Sequence, residues 1–94
     1  MLAYSKKSFL IADDFSDFRS SVRSMLRELG VVEVDTADTG EQALLMCAHK
    51  RYDFILHDFN FGDGKKNGQQ VLEDLMVDKL MSHESVFIMV KIGR

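Results

Sequence analysis

The chain reads as an α/β domain in the order β-α-β-α-β-α-β, an open parallel sheet with helices on both faces. Two observations predict this. Its apolar runs, such as Phe9-Leu10-Ile11-Ala12 and Val86-Phe87-Ile88-Met89-Val90, are short and nearly continuous, as in strands covered on both sides. The segments between them carry apolar residues at helical spacing and are bounded by capping and turn residues. Parallel neighbours require crossover connections, which helices supply with a right-handed sense.

The elements follow in order. Ser8 to Ala12 is the first strand, closed by Asp13-Asp14. Ser16 is the expected N-cap of a helix whose stripe is Phe18, Val22, Met25, Leu26 and Leu29, and Gly30 supplies its stop. Val31 to Thr36 is a more polar strand, which places it near the sheet edge. Thr39 with Gln42 forms a capping-box pattern ahead of Ala43, Leu44, Cys47 and Ala48 on one helical face. Tyr52 to His57 is the third strand, ending at Asp58, with a Gly-rich turn from Gly62 to Gly68 behind it. Val71, Leu72, Leu75 and Met76 give the third helix its packing side, and Ser85 to Val90 is the fourth strand.

Composition narrows the function. At 94 residues, 46% of them hydrophobic, the chain holds one domain, residues 1–94, with no repeat or linker. Twelve Lys+Arg against fifteen Asp+Glu give a net charge of −3, and the longest positive run is Lys65-Lys66, which excludes a dedicated nucleic-acid binder. No stretch reaches the ~20 apolar residues of a membrane span, and Met1 to Lys7 lacks the apolar core of a signal peptide. A cytoplasmic protein with no membrane partner is expected. One Cys excludes an internal disulfide, and three scattered His offer no zinc spacing. Cys47, on an apolar helical face, is expected to be buried and inert.

Functional groups of an open parallel sheet gather beyond the carboxyl ends of its strands. Asp13, Asp14 and Asp58 stand there. If the first and third strands are neighbours, these carboxylates lie about 5 Å apart, the interstrand spacing. Like charges at that distance raise one another's pKa unless a cation holds them ionised, and all-oxygen ligands favour Mg2+ with a phosphoryl group completing its shell. An Asp-Asp pair by itself reads first as a solvated turn, and it is the third carboxylate, Asp58, that brings a metal or phosphoryl site level with that reading, leaving both open.

Phe9-Leu10-Ile11-Ala12-Asp13-Asp14-Phe15-Ser16, the run Asp38 to Ala43, the segment Tyr52 to Asn60 and the helix entry Gly68 to Leu75 resemble, in order and spacing, the receiver domain of bacterial two-component response regulators. The resemblance covers Ser8 to Val90. It implies a flavodoxin-like sheet of order 2-1-3-4-5, here truncated after the fourth strand. It also implies that Asp58 is the phosphoacceptor, loaded by a histidine kinase or phosphotransfer protein. Asp14 resembles the direct Mg2+ ligand, Asp13 the ligand acting through water, and Asn60 the contributor of a backbone carbonyl. His57 is expected to pack behind the site, because imidazole suits a hard cation poorly.

The chain departs from the family pattern in three places. Lys91 stands where the family has a Ser or Thr that hydrogen-bonds the phosphoryl group, and reads either as a substitute cation or as a solvated terminal residue. The family's later strand with its Lys, and two helices, have no counterpart, as in a truncated or frameshifted gene. The Pro common after the acceptor Asp is missing. A sheet ending at its fourth strand presents an apolar edge, so a homo-oligomer through that strand is expected. The rival reading is a degenerate, non-phosphorylated receiver serving as an interaction or dimerisation module. A flavin or nucleotide binder is weaker, since no Gly-rich phosphate loop follows the first strand.

Overall fold

The computed structural model describes residues 6–58, 67–81 and 84–90. Its elements are β1 (Ser8–Ala12), α1 (Ser16–Glu28), β2 (Glu33–Ala37), α2 (Gly40–His49), β3 (Phe54–Asp58), α3 (Gly68–Val77) and β4 (Val86–Val90), in the predicted alternation. All strand pairs are parallel and the sheet order is β2-β1-β3-β4. The polar strand β2 is therefore an edge, and β1 and β3 are central.

The two sheet faces carry different cores. Leu10, Ala12 and Ile55 join Ala37, Ala43, Cys47, Tyr52, Val71 and Leu75 in the larger cluster, beneath α2 and α3. Ile11, Val31 and Val34 form the smaller one, packed by Phe9, Val22 and Leu26 under α1. Phe9 and Phe54 stack at 4.7 Å between centroids. Register explains the division, because Phe9 pairs with Val34 and Phe54, and Ile11 with Thr36 and Leu56, so these residues share one face. Cys47 is buried as expected, and desolvation pushes its thiol up to about 11.

Helix ends follow local chemistry, with one correction. The N-cap of α1 is Phe15 with no side-chain cap bond, and Ser16 is the first helical residue. Thr39 does cap α2, accepting from the Gln42 N–H at 3.0 Å, while the Gln42 side chain accepts from the Asp38 N–H. Asn67 and Gln70 close a full capping box on α3. At the other end of α1, Gly30 takes φ 91°, its N–H bonds the Arg27 carbonyl and Val31 N–H bonds that of Leu26, a Schellman ending that favours glycine. Helix α3 ends the same way with Lys79 at φ 55°, a position where a Cβ is costly.

The apolar stripes are narrower than the spacing suggests. Met25 on α1, its C-cap Leu29, and Met76 on α3 are more than half exposed. Each helix meets the sheet along one line of side chains, Val22 and Leu26 in one case and Val71 and Leu75 in the other, and residues a further step round the helix clear the sheet. Strand β4 is likewise one-sided. Phe87 packs on the larger core, whereas Val86 and Ile88 are 43% and 44% exposed.

Candidate functional site

The site is made by register. Ala12 of β1 lies opposite His57 of β3, so Asp13 and Asp58, one residue further, emerge together at the carboxyl end of the sheet centre. One carboxylate oxygen from each of Asp13, Asp14 and Asp58 falls within a 4.8 Å cluster. Asp13 is fully buried, Asp58 is 4% exposed and Asp14 is open to solvent.

Buried carboxylates need compensation. Asp13 Oδ1 accepts from the Phe15 N–H at 2.8 Å, its own N–H reaches the Ala37 carbonyl of β2 at 3.0 Å, and Arg19 Nη1 donates to its carbonyl at 2.5 Å. His57 Nδ1–H donates to the Asp58 carbonyl at 2.7 Å, and its ring stacks on Phe87 at 5.7 Å. Burial pushes the imidazole's pKa down, so it is held neutral at physiological pH. His57 thus packs behind the cluster and supplies none of its ligands.

The donor set fits a hard divalent cation. It is all oxygen, two of its three carboxylates are withdrawn from water, and their convergence is repulsive until a positive charge enters. The structure brings together three of the five residues singled out from the sequence: Asp13, Asp14 and Asp58. The other two, Asn60 and Lys91, lie outside the described residues.

Sequence reasoning missed two arrangements. One is Arg19, whose signal is an arginine in the first turns of the helix that follows the acidic pair. The other lies at the far end of the sheet, where Tyr52 Oη donates to Asp35 at 2.6 Å and Lys50 pairs with Glu33 at 2.6 Å and Asp35 at 3.3 Å. A cavity of about 350 Å3 beside it, lined by Gln42, Leu45, Met46, His49, Lys50 and Tyr52, shares no residue with the carboxylate cluster. The chemistry belongs to the cluster, where ionisable groups converge.

The Tyr52 hydrogen bond, with help from Lys50 and against burial, holds the Asp35 carboxyl below its ordinary 3.8. A depressed carboxyl contributes stability that is present above the unfolded value and lost as pH falls through the folded one. Tyr52→Phe therefore costs about 1 kcal/mol at neutral pH, less than the roughly 1.5–3 kcal/mol of a bond to a charged group because the Asp35 side chain is 40% exposed. Urea unfolding will show the gap from wild type shrinking in acid; a gap unchanged by acid would remove Asp35 as its source.

The comparisons agree with this geometry. The model of the response regulator receiver domain matches residues 9–91. The chemotaxis protein CheY-3 of Vibrio cholerae is 34% identical over 79 residues, 84% of this chain and 59% of the relative. The chemotaxis protein CheY of Pseudomonas aeruginosa is 33% identical over 79 residues, 84% of this chain and 62% of the relative. The chain thus spans about three fifths of the length of these curated relatives. Among solved structures, a Francisella response regulator receiver domain aligns with a TM-score of 0.79 at 21% identity, covering 92% of this chain and 66% of the other. The MaeR response regulator bound to beryllium trifluoride gives 0.78 at 20%, covering 94% and 69%. A Burkholderia pseudomallei response regulator with a phosphorylated aspartic acid and a calcium ion gives 0.73 at 20%, covering 95% and 49%. With the family model matched over most of its length and the chemotaxis relatives above 30% identity, the chain belongs to the response regulator receiver domain family.

Proposed function

We propose that residues 1–94 form a single receiver domain unit. It accepts a phosphoryl group on Asp58 from a histidine kinase or phosphotransfer protein, with Mg2+ held by Asp13, Asp14, Asp58 and the Asn60 carbonyl. The convergence of three carboxylates at the centre of the sheet carries this reading. The phosphorylated aspartic acid and calcium ion of the Burkholderia protein, on the same fold, support it. An Asp58 oxygen attacks the phosphorus of the donor's phosphohistidine; the new P–O bond forms as the P–N bond breaks, and the electron pair returns to the imidazole nitrogen. Bound Mg2+ would neutralise phosphoryl oxygens that otherwise face three anionic groups.

In this reading Asp58 is the nucleophile, Asp14 the direct Mg2+ ligand, and Asp13, whose carboxylate also accepts from the Phe15 N–H, the ligand acting through water. The chain is a signalling domain of the cytoplasm, not an enzyme acting on a separate substrate; among the described residues no helix is long and apolar enough to cross a membrane. With Lys91 at the position of the family's hydroxyl residue, phosphorylation is slow and incomplete, because a donor that stabilises phosphoryl oxygens is lost. Outward-facing Val86 and Ile88 add self-association through β4 to the proposal.

The test is a Mg2+ titration followed by amide NMR, expected to shift Asp13, Asp14 and Asp58 together. Shifts confined to other residues would dismiss the cation site.

A further inference from the structure

Asn67 and Gly68 form an Asn-Gly pair, the sequence in which a side-chain amide is most readily lost, since Gly68 sets no Cβ against an attack by its own main-chain nitrogen. The chain has one other Asn, Asn60, and the bulky Phe61 follows it. The structure places the pair at the start of α3, with Asn67 the half-buried N-cap and Gly68 the first helical residue, buried. Two features of that place act in opposite directions. First-turn N–H groups have no acceptor within the helix, and the positive end of the helix dipole favours the amide anion of Gly68 as a nucleophile. The capping box opposes the attack. Asn67 Oδ1 accepts from the Gln70 N–H at 2.9 Å, and Gln70 Oε1 accepts from the Asn67 N–H at 2.9 Å. Both bonds hold Asn67 extended, at φ −87° and ψ 175°. Closing a ring needs the Gly68 nitrogen turned onto the Asn67 Cγ, a rotation about ψ that the box resists. Capping therefore wins while the first turn is closed.

We propose that Asn67-Gly68 is a site of spontaneous deamidation, gated by the capping box of α3. When the box opens, the Gly68 nitrogen gives its proton to solvent base and bonds to Asn67 Cγ. The Cγ–Nδ2 bond breaks, and the side-chain nitrogen leaves as ammonia, taking a proton back from solvent. Water then opens the cyclic imide at either of its carbonyls. Addition at Cγ gives Asp, whereas addition at the former main-chain carbonyl gives isoaspartate, with the main chain rerouted through Cβ. The two products differ in what they do to the helix. Asp keeps an oxygen for the Gln70 N–H and sets a negative charge on the positive end of α3. Isoaspartate lengthens the backbone at the N-cap and breaks the box.

The experiment incubates the whole chain at mildly alkaline pH, as wild type, Gln70→Ala and Asn67→Ser, and follows intact mass together with peptide mapping for Asp and isoaspartate. Mapping also sets apart any isoaspartate formed at Asp63-Gly64, which changes no mass. Wild type is expected to convert at Asn67, more slowly than the same chain unfolded in guanidinium. Gln70 is exposed, so replacing it leaves the core intact, and Gln70→Ala should convert about fivefold faster as the closed turn is weakened. Asn67→Ser, which keeps a capping oxygen, should gain no mass. Folded wild type that stays intact while the unfolded chain converts overturns the proposal. Gln70→Ala converting at the wild-type rate, or equal rates for the folded and unfolded chain, would remove the gate and overturn it as well.

Discussion

Asp58→Asn is expected to abolish the acyl phosphate that, on the proposed function, forms when the wild-type chain is incubated with acetyl phosphate and Mg2+. The amide keeps the size and shape of the carboxylate and lacks a nucleophilic anionic oxygen, so the fold is retained and the chemistry is lost. Asp58 is the only one of the three acids both inside a strand and nearly buried; Asp13 and Asp14 follow the end of β1. Labelling read by intact mass should fall to background in Asp58→Asn and persist, slowed, in Asp14→Asn, where only a proposed metal ligand is removed. Equal labelling of wild type and Asp58→Asn would place the acceptor elsewhere. No labelling of wild type, with Mg2+ bound, would favour an interaction module instead.

Self-association is the second large effect. Among the described residues β4 pairs with β3 alone, and its side chains Val86 and Ile88 are 43% and 44% exposed. Native edges are usually short, charged or covered, and this one carries neither charge nor proline. A two-fold axis beside β4 would set two copies antiparallel and join their sheets into one, bringing Val86 and Ile88 of each copy beside those of its partner. Sedimentation at micromolar concentration should report a dimer or larger species, and Ile88→Lys should shift it to monomer by setting like charges against each other. A well-folded wild-type monomer, with Ile88→Lys unchanged in mass and stability, would end the argument.

The fold was largely legible because its strands are continuous apolar runs and its connections have helical period. β2 was recognisable as an edge from Glu33 and Asp35 alone. The acidic trio was legible for a related reason, since a strand's last residue and the first residues after it are fixed by topology rather than by packing. What stayed hidden depends on contacts between residues distant in sequence. Tyr52 and Asp35 are seventeen positions apart, and nothing in either neighbourhood says that the phenol will reach across beneath β1. Arg19 is nearer, but its bond is to a main-chain carbonyl, a partner that every residue possesses. The exposure of Met25, Leu29 and Met76 was equally unreadable, because helical spacing defines a face without saying how much of it the sheet is wide enough to cover.

The buried thiol of Cys47 gives the molecule an internal clock. With its pKa raised to about 11, only about one thiol in ten thousand is ionised at neutral pH, and a core position denies a reagent access even to that fraction. Alkylation must therefore wait for α2 to lift from the sheet. The sequence has one Cys, so each modification event is a single mass step on an otherwise silent chain. The rate at which that step accumulates measures how often this face of the domain opens, and a ligand that binds only the closed form slows it in proportion to its occupancy.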